Sequence, residues 1–275
     1  MPNADIRSST IPLEPCKEQL RRDGWCVVPD VFTREFVGEA VDRLWAATEE
    51  SKRRGWKTFM PEIDPNAANV RVFHLLELDG IFRRIVRDEV SLALVTALLG
   101  ENVIISNSVA NIARPGARSM GLHSDISLVV PAPWQSPWSI NIITCLTDAT
   151  FENGATLYIP GSHLWRTRED VPPDANRRLV PFTARAGSII AMDGRMWHTS
   201  GANITDAQDR ALQLTYYTVP FLRQQINWSA CLSPDVVDRL DDRLLEMLGL
   251  DIHANMSLLS DLRYLDVQYG DAEVS

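Results

Sequence analysis

The sequence predicts a mainly β protein whose sandwich or barrel core is flanked by α-helices. Between residues 102 and 220, six short runs rich in β-branched and apolar residues alternate with Pro, Gly, Asn and Asp. On either side of this stretch, apolar residues recur at helical spacing. The chain has 275 residues, of which 45% are hydrophobic, so it can bury a sizeable core. No repeat or linker divides it, and a single domain over residues 1–275 is predicted.

The N-terminal part of that domain, residues 1–100, is predicted to be mostly helical. The apolar stripe of one helix consists of Phe36, Val37, Ala40, Val41, Leu44 and Trp45. A second helix is predicted over Asp88–Leu99, with Gly100 at the position of its C-terminal cap. Between these helices, Trp56–Leu78 is predicted to form a long loop and then a strand over Val70–Leu76.

The β core is predicted over residues 101–220. Its six strands are predicted at Val103–Ile112, Leu122–Val130, Ser139–Thr147, Ala155–Ile159, Ser188–Met192 and Ala211–Val219. The C-terminal part, residues 221–275, returns to a helical pattern. There Ser233 is predicted to be the N-cap and Pro234 the first residue of one helix, which ends at Gly249.

Composition and charge exclude several classes of function. Lys and Arg number 27 against 36 Asp and Glu, which gives a net charge of −9. Since no basic stripe is present to neutralise phosphates, we expect no nucleic-acid partner. There is no run of about 18 apolar residues, and Met1–Pro15 lacks the pattern of a signal peptide, so we expect a cytoplasmic protein without membrane insertion. The four cysteines form no C-x-x-C pair, so neither a zinc ribbon nor a disulfide framework is indicated.

His123 and Asp125 form the first candidate metal site. They lie two residues apart in a predicted strand, where side chains at i and i+2 point to the same face. This pair alone is a weak signal, but His198, 75 residues later, is a candidate third ligand. Two histidines and one carboxylate are the facial ligand set of non-haem Fe(II). The open alternative is a hydrogen-bonded pair on a surface strand and a structural histidine in a turn.

Arg210 stands at the start of the last predicted strand, directly before Ala211 and 12 residues after His198. A guanidinium that faces into a barrel is a costly buried cation unless a carboxylate binds it bidentately. A dicarboxylate co-substrate would supply that partner. The remaining histidines, His74, His163 and His253, are expected to be structural.

Several motifs, in their order and spacing, resemble the phytanoyl-CoA dioxygenase-like branch of the Fe(II)/2-oxoglutarate-dependent oxygenases. They are DGWCVVPDVFTREFV at Asp23–Val37, H-S-D at residues 123–125, LTDATFENGATLYIPGSHLW at Leu146–Trp165, HTSGAN at His198–Asn203, DRALQLTYY at Asp209–Tyr217 and RQQINW at Arg223–Trp228. Each motif alone is weak, whereas the whole series is specific. The resemblance implies a double-stranded β-helix core of the jelly-roll, cupin-like type.

The resemblance also implies roles for individual residues. His123, Asp125 and His198 would bind Fe(II), and Arg210 would bind the distal carboxylate of 2-oxoglutarate. Thr156, in the sequence ENGAT, is implied as a second contact to this co-substrate, and O2 is the other co-substrate.

The implied activity is that of an oxidoreductase of specialised metabolism, since the resemblance is closest in character to members that act on natural products. Such an enzyme oxidises an unactivated C–H bond of a small hydrophobic molecule, such as a terpenoid, an alkaloid or a polyketide, with succinate and CO2 as co-products. Hydroxylation is the expected outcome, with desaturation or rearrangement as alternatives. The pocket walls are predicted at Phe59, Met60, Val72, Met120, Trp134, Trp138 and Trp197. Each of these residues is also compatible with a place in the core. Met120 stands where several relatives have a Gln, three residues before the first metal histidine.

Two other functions stay open at this point. The chain is also compatible with a non-catalytic partner subunit of the same fold, or with a cupin-type metal enzyme that needs no keto acid. Only the 2-oxoglutarate-dependent enzyme requires Arg210. We expect a homodimer, with Trp56–Asn69 and Trp228–Leu250 as candidate lid segments over the site.

Overall fold

The computed structural model describes residues 11–130 and 132–250. The strands are β1 (Trp25–Val28), β2 (Asn69–Val72), β3 (Ile104–Ala113), β4 (Ser139–Cys145), β5 (Thr156–Tyr158), β6 (Val180–Pro181), β7 (Ile189–Asp193), β8 (His198–Ser200) and β9 (Arg210–Thr218). The helices are α1 (Leu13–Asp23), α2 (Arg34–Arg53), α3 (Leu75–Leu78), α4 (Gly80–Ile85), α5 (Glu89–Leu99), α6 (Trp228–Cys231), α7 (Pro234–Val237) and α8 (Asp242–Met247). His253 and the two ends of the predicted domain lie outside the described residues.

Two antiparallel sheets form the β core. The large sheet has the strand order β1-β7-β4-β9-β3-β2, and the small sheet has the order β6-β5-β8. Apolar side chains from both sheets pack against each other, among them Ile143 of β4, Leu212 of β9 and Tyr158 of β5. The predicted mainly β fold with flanking helices is therefore confirmed.

The helices cover the outer face of the large sheet. In α2 the side chain of Thr33 accepts a hydrogen bond from the amide of Phe36, and in α5 Asp88 caps the first turn in the same way. The buried stripe of α2 joins a cluster that includes Ile140 and Ile142 of β4. Because neighbouring strand residues point to opposite faces, Asn141 and Ile143 then point into the interior between the sheets. Both helices agree with the sequence prediction.

The predicted strand Leu122–Val130 is wrong. His123 makes only an isolated bridge to His198, and Asp125–Leu128 forms a single 3-10 turn. The hydroxyl and the amide of Ser127 both donate to the carbonyl of Ser124, at 2.7 and 3.1 Å, and these local bonds offer the backbone an alternative to extended pairing. His123 and Asp125 therefore do not share one face of a strand.

Two further boundaries differ from the prediction. Instead of reaching Leu76, β2 ends at Val72, and His74 takes a left-handed conformation with φ of 61°. The predicted C-terminal helix is two short helices, because the carboxylate of Asp241 accepts a hydrogen bond from the amide of Leu244 and starts α8 anew. Strands β1, β6 and β8 were not predicted. Within residues 11–130 and 132–250, no helix is both long enough and apolar enough to span a bilayer.

Candidate active site

His123, Asp125 and His198 come together at one end of the space between the sheets. Their ligand atoms all lie within 4.8 Å of one another. The Oδ1 atom of Asp125 is 3.8 Å from Nε2 of His198 and 4.0 Å from Nε2 of His123. The reciprocal backbone hydrogen bonds between the two histidines, at 3.0 and 2.8 Å, fix the spacing of their rings. The predicted convergence is thus present, but the 3-10 turn achieves it and not a shared strand face.

Both imidazoles are oriented through their Nδ1 atoms. Nδ1 of His123 lies 2.9 Å from the carbonyl of Gly121, and Nδ1 of His198 lies 3.0 Å from the carbonyl of Met196. A carbonyl only accepts, so Nδ1 is the donor in each ring, and Nε2 is the nitrogen left to face Asp125. Burial, and then the neighbouring His123, lowers the pKa of His198. Two imidazole nitrogens and one carboxylate are a donor set suited to a divalent transition metal.

Arg210 lies in the same cavity, with a guanidinium that is only partly satisfied. Its Nε donates to the carbonyl of Gly154 at 2.9 Å, and its Nη1 donates to the side-chain oxygen of Asn111 at 2.8 Å. Its Nη2 is buried without a hydrogen-bond partner among residues 11–130 and 132–250. Burial lowers the pKa of Arg210 to about 10, so the group stays charged at neutral pH. This unpartnered N–H fits a ligand carboxylate.

The local backbone holds Arg210 in place through Gly154. This glycine has φ of 89°, and a Cβ on it would lie 2.9 Å from the carbonyl oxygen of Gly201. Only glycine fits both the positive φ and this close approach without strain. The turn at Gly154 therefore serves to bring its carbonyl to the guanidinium, a role that the sequence alone did not indicate.

One cavity of about 530 Å³ contains the His-Asp-His cluster and Arg210. Thr156 of β5 and Met120 both line it, while their contacts to 2-oxoglutarate and to the substrate stay predictions. Its other walls carry Glu62, Ile63, Arg71, Phe73, Asn107, Val109, Asn111, Asn141, Ile143, Leu212, Leu214, Tyr216 and Gln225, among others. The sequence predicted none of these. Glu62 and Ile63 belong to the predicted lid segment Trp56–Asn69.

Most of the predicted pocket walls lie elsewhere. Val72 is 0% exposed in the core beneath the helices, so its assignment to the pocket is wrong. Trp134, Trp138 and Trp197 belong to a separate apolar cluster, in which the ring of Trp138 contacts Phe221. Two more predicted residues, Phe59 and Met60, are absent from the cavity wall. The position of Val72 follows from strand alternation, since its neighbours Arg71 and Phe73 line the cavity and Val72 points to the opposite face.

The other described histidines stand apart from the cavity. Nδ1 of His74 lies 2.8 Å from Sγ of Cys231, and the His74 ring packs edge-on against Trp56. His163 is 4% exposed and lies next to Gly24, where a Cβ would clash with its ring. Burial lowers the pKa of both histidines.

The chain is similar to known proteins in both sequence and fold. Residues 20–211 match the family model described as phytanoyl-CoA dioxygenase. Dioxygenase af480 of Aspergillus fumigatus is 47% identical over 264 residues, which are 96% of this chain and 85% of that protein. A solved structure of the non-heme alpha ketoglutarate dependent carbocyclase SnoK from nogalamycin biosynthesis has a TM-score of 0.63 at 20% identity, covering 83% of this chain and 90% of that one. HygX from Streptomyces hygroscopicus, solved with nickel and 2-oxoglutarate bound, has a TM-score of 0.59 at 18% identity, covering 77% and 88%. These similarities confirm the predicted double-stranded β-helix core.

Proposed function

The chain belongs to the phytanoyl-CoA dioxygenase family, and from this premise we propose that it is an Fe(II)- and 2-oxoglutarate-dependent dioxygenase of specialised metabolism. The observation that carries the proposal is one cavity that holds both the His-Asp-His cluster and the unpartnered N–H of buried Arg210. Identity of 47% to a fungal dioxygenase supports the same reaction class. The solved structure of HygX, a protein of the same fold, holds a metal and 2-oxoglutarate together.

Each polar group of the site has a definite task in this proposal. His123 and His198 hold the metal through Nε2, while Asp125 offsets part of its charge. Arg210 binds the distal carboxylate of 2-oxoglutarate with its free Nη2, and Thr156 adds a hydroxyl on the same wall. Fe(II), when bound, supplies the activation of O2 that these side chains lack. The protein residues thus fix the positions of the reactants relative to one another.

The remaining cavity wall indicates the kind of substrate. Aliphatic side chains from three strands, Val109, Ile143 and Leu214, alternate with amides such as Asn107 and Gln225. A wall that combines aliphatic side chains with amides and hydroxyls suits a small, mainly hydrophobic molecule that also carries hydrogen-bonding groups. We propose hydroxylation of an unactivated C–H bond of such a terpenoid, alkaloid or polyketide as the reaction, with succinate and CO2 as co-products.

The proposal is tested by measuring succinate and oxidised product together. The purified chain, with Fe(II), 2-oxoglutarate and O2, is incubated with a panel of terpenoids, alkaloids and polyketides. Succinate is expected only when Fe(II), 2-oxoglutarate and O2 are all present. A substrate that the enzyme accepts should yield about one molecule of oxidised product per succinate. Product formation that persists without 2-oxoglutarate would instead indicate a keto-acid-independent metal enzyme. No succinate and no product under any condition would indicate a non-catalytic subunit.

Thr156→Val tests the second contact to 2-oxoglutarate. The substitution keeps the side-chain shape and removes one hydroxyl, so the KM for 2-oxoglutarate should rise about 3- to 10-fold, as expected for one hydrogen bond. The KM for the organic substrate should not change. Thr144→Val is the matched control, because the Thr144 hydroxyl is buried on β4 and absent from the cavity wall. Equal KM values for 2-oxoglutarate in wild type and Thr156→Val would refute the contact.

Homodimerisation, the cytoplasmic location and the single domain over residues 1–275 stay predictions from the sequence.

A further inference from the structure

Asn141 contacts the carboxylate of the His-Asp-His cluster. Its Nδ2 donates a hydrogen bond to Oδ2 of Asp125 at 3.2 Å. The other carboxylate oxygen, Oδ1, is the one that lies 3.8 Å from Nε2 of His198 and 4.0 Å from Nε2 of His123. The amide therefore engages one oxygen of Asp125 while the second oxygen faces the imidazoles.

The strand fixes the direction of this amide. Asn141 lies in β4, paired with Met192 of β7 on one side and with Tyr216 of β9 on the other. Its neighbours Ile140 and Ile142 are buried in the core beneath the helices. Rotating β4 to turn Asn141 away from the cavity would expose both isoleucines, so the side chain is held toward Asp125.

Among the described residues, the side chain of Asn141 has no other polar partner. The residue is 8% exposed, and its Oδ1 is buried without a hydrogen-bond partner in the part of the chain that the structure describes. A buried, half-satisfied amide in an otherwise apolar stretch of strand lowers stability relative to an aliphatic residue. Its one side-chain hydrogen bond goes to a metal-ligand carboxylate, so its presence is explained by the site and not by the fold.

We propose, on the premise of the function proposed above, that Asn141 is a positioning residue for Asp125. By holding Oδ2, the amide leaves Oδ1 alone to bind the metal. Without that hydrogen bond the carboxylate is free to rotate and to present both oxygens, which would occupy a position that the co-substrate needs. Partners of this kind set the geometry and affinity of metal ligands in other sites.

The test is a metal titration that needs no catalysis. Wild type, Asn141→Leu and Asn107→Leu are titrated with Co(II) by isothermal calorimetry, and the visible d–d spectrum is recorded at saturation. Leu has the same branched arrangement of heavy atoms as Asn, with larger methyl groups in place of the amide, and has no donor. Asn107 is the matched control, since it is an amide on β3 that lines the same cavity but bonds to Gln225 and not to a metal ligand. Asn141→Leu should bind Co(II) about tenfold more weakly with an altered spectrum, whereas Asn107→Leu should match wild type in both.

Each outcome bears on a separate claim. If wild type binds no Co(II), the proposed function fails before this inference is reached. If wild type binds Co(II), and Asn141→Leu has the same affinity and spectrum, the positioning role is overturned. If Asn141→Leu does not fold, Asn141→Ser takes its place, because a serine is too short to reach Asp125 and should give the same loss. A positioning role is distinguished from a structural one by the spectrum, which a general loss of stability would not alter.

Discussion

Replacing His198 with alanine is expected to abolish detectable substrate oxidation and to weaken Fe(II) binding by more than about 100-fold. His198 is one of three clustered ligand groups, and it is oriented by the carbonyl of Met196. Loss of an outer partner of a metal ligand typically costs 10- to 100-fold in affinity, and loss of the ligand itself should cost more. The backbone hydrogen bonds between His198 and His123 do not need the ring, so the fold should survive the change.

His74→Ala is the matched control for this prediction. His74 is half-buried and packs against Trp56, but it does not line the cavity. We expect this variant to lose some thermal stability and to keep the Fe(II) affinity of wild type. Anaerobic Fe(II) titration and melting curves measure both properties. A His198→Ala protein that binds Fe(II) as tightly as wild type would contradict the assignment of the metal site.

Replacing Arg210 with methionine is expected to raise the dissociation constant for 2-oxoglutarate by a factor of about 30 or more. Removing one partner of a buried charge pair costs about 2–5 kcal/mol, and the Nη2 of Arg210 has no other partner among the described residues. Methionine fills the space but also leaves the Gly154 carbonyl without its donor. Arg210→Lys is therefore the second variant, since it keeps the charge, loses the planar fork and should bind 2-oxoglutarate with intermediate affinity.

The metal affinity separates a binding role of Arg210 from damage to the fold. Both variants should bind Co(II) like wild type, while their affinity for 2-oxoglutarate, measured on the Co(II)-loaded protein, falls. Arg114→Met is the matched control, because this arginine is exposed and pairs at 3.9 Å with Asp209. Wild-type affinity for 2-oxoglutarate in Arg210→Met would identify the arginine as structural and favour a keto-acid-independent enzyme.

The clustering of His123, Asp125 and His198 could be predicted from the sequence although its local structure could not. The spacing of His123 and Asp125, with a distant His198, selected three residues that the structure does bring together. The strand on which that argument relied is a 3-10 turn, because Ser127 forms local hydrogen bonds with the carbonyl of Ser124. The pattern of apolar residues gives no information about such local hydrogen bonds. The inference that the three side chains lie close together was correct. The backbone conformation that brings them together could be seen only in the structure.

Most residues of the cavity wall could not be predicted from the sequence. In a short strand such as β2, alternate residues point to opposite faces, but the sequence does not tell which set faces the cavity. Val72 was predicted to line the cavity, whereas its neighbours Arg71 and Phe73 line it and Val72 is buried in the core. Asn111 and Asn141 were missed for another reason. The sequence pattern of a strand does not distinguish an amide that stabilises the fold from one that contacts a functional residue. Only the register of β3, β4 and β9 brings these amides to Arg210 and Asp125.

The most direct test of the account is an anaerobic titration of the apo-protein with Fe(II) and then with 2-oxoglutarate, followed by visible absorption. We predict a weak charge-transfer band that saturates at one Fe(II) and one 2-oxoglutarate per chain. The band should be missing in His198→Ala and should need far more 2-oxoglutarate in Arg210→Met. Bound Fe(II) without any band would contradict 2-oxoglutarate dependence, and no Fe(II) binding at all would contradict the enzyme itself.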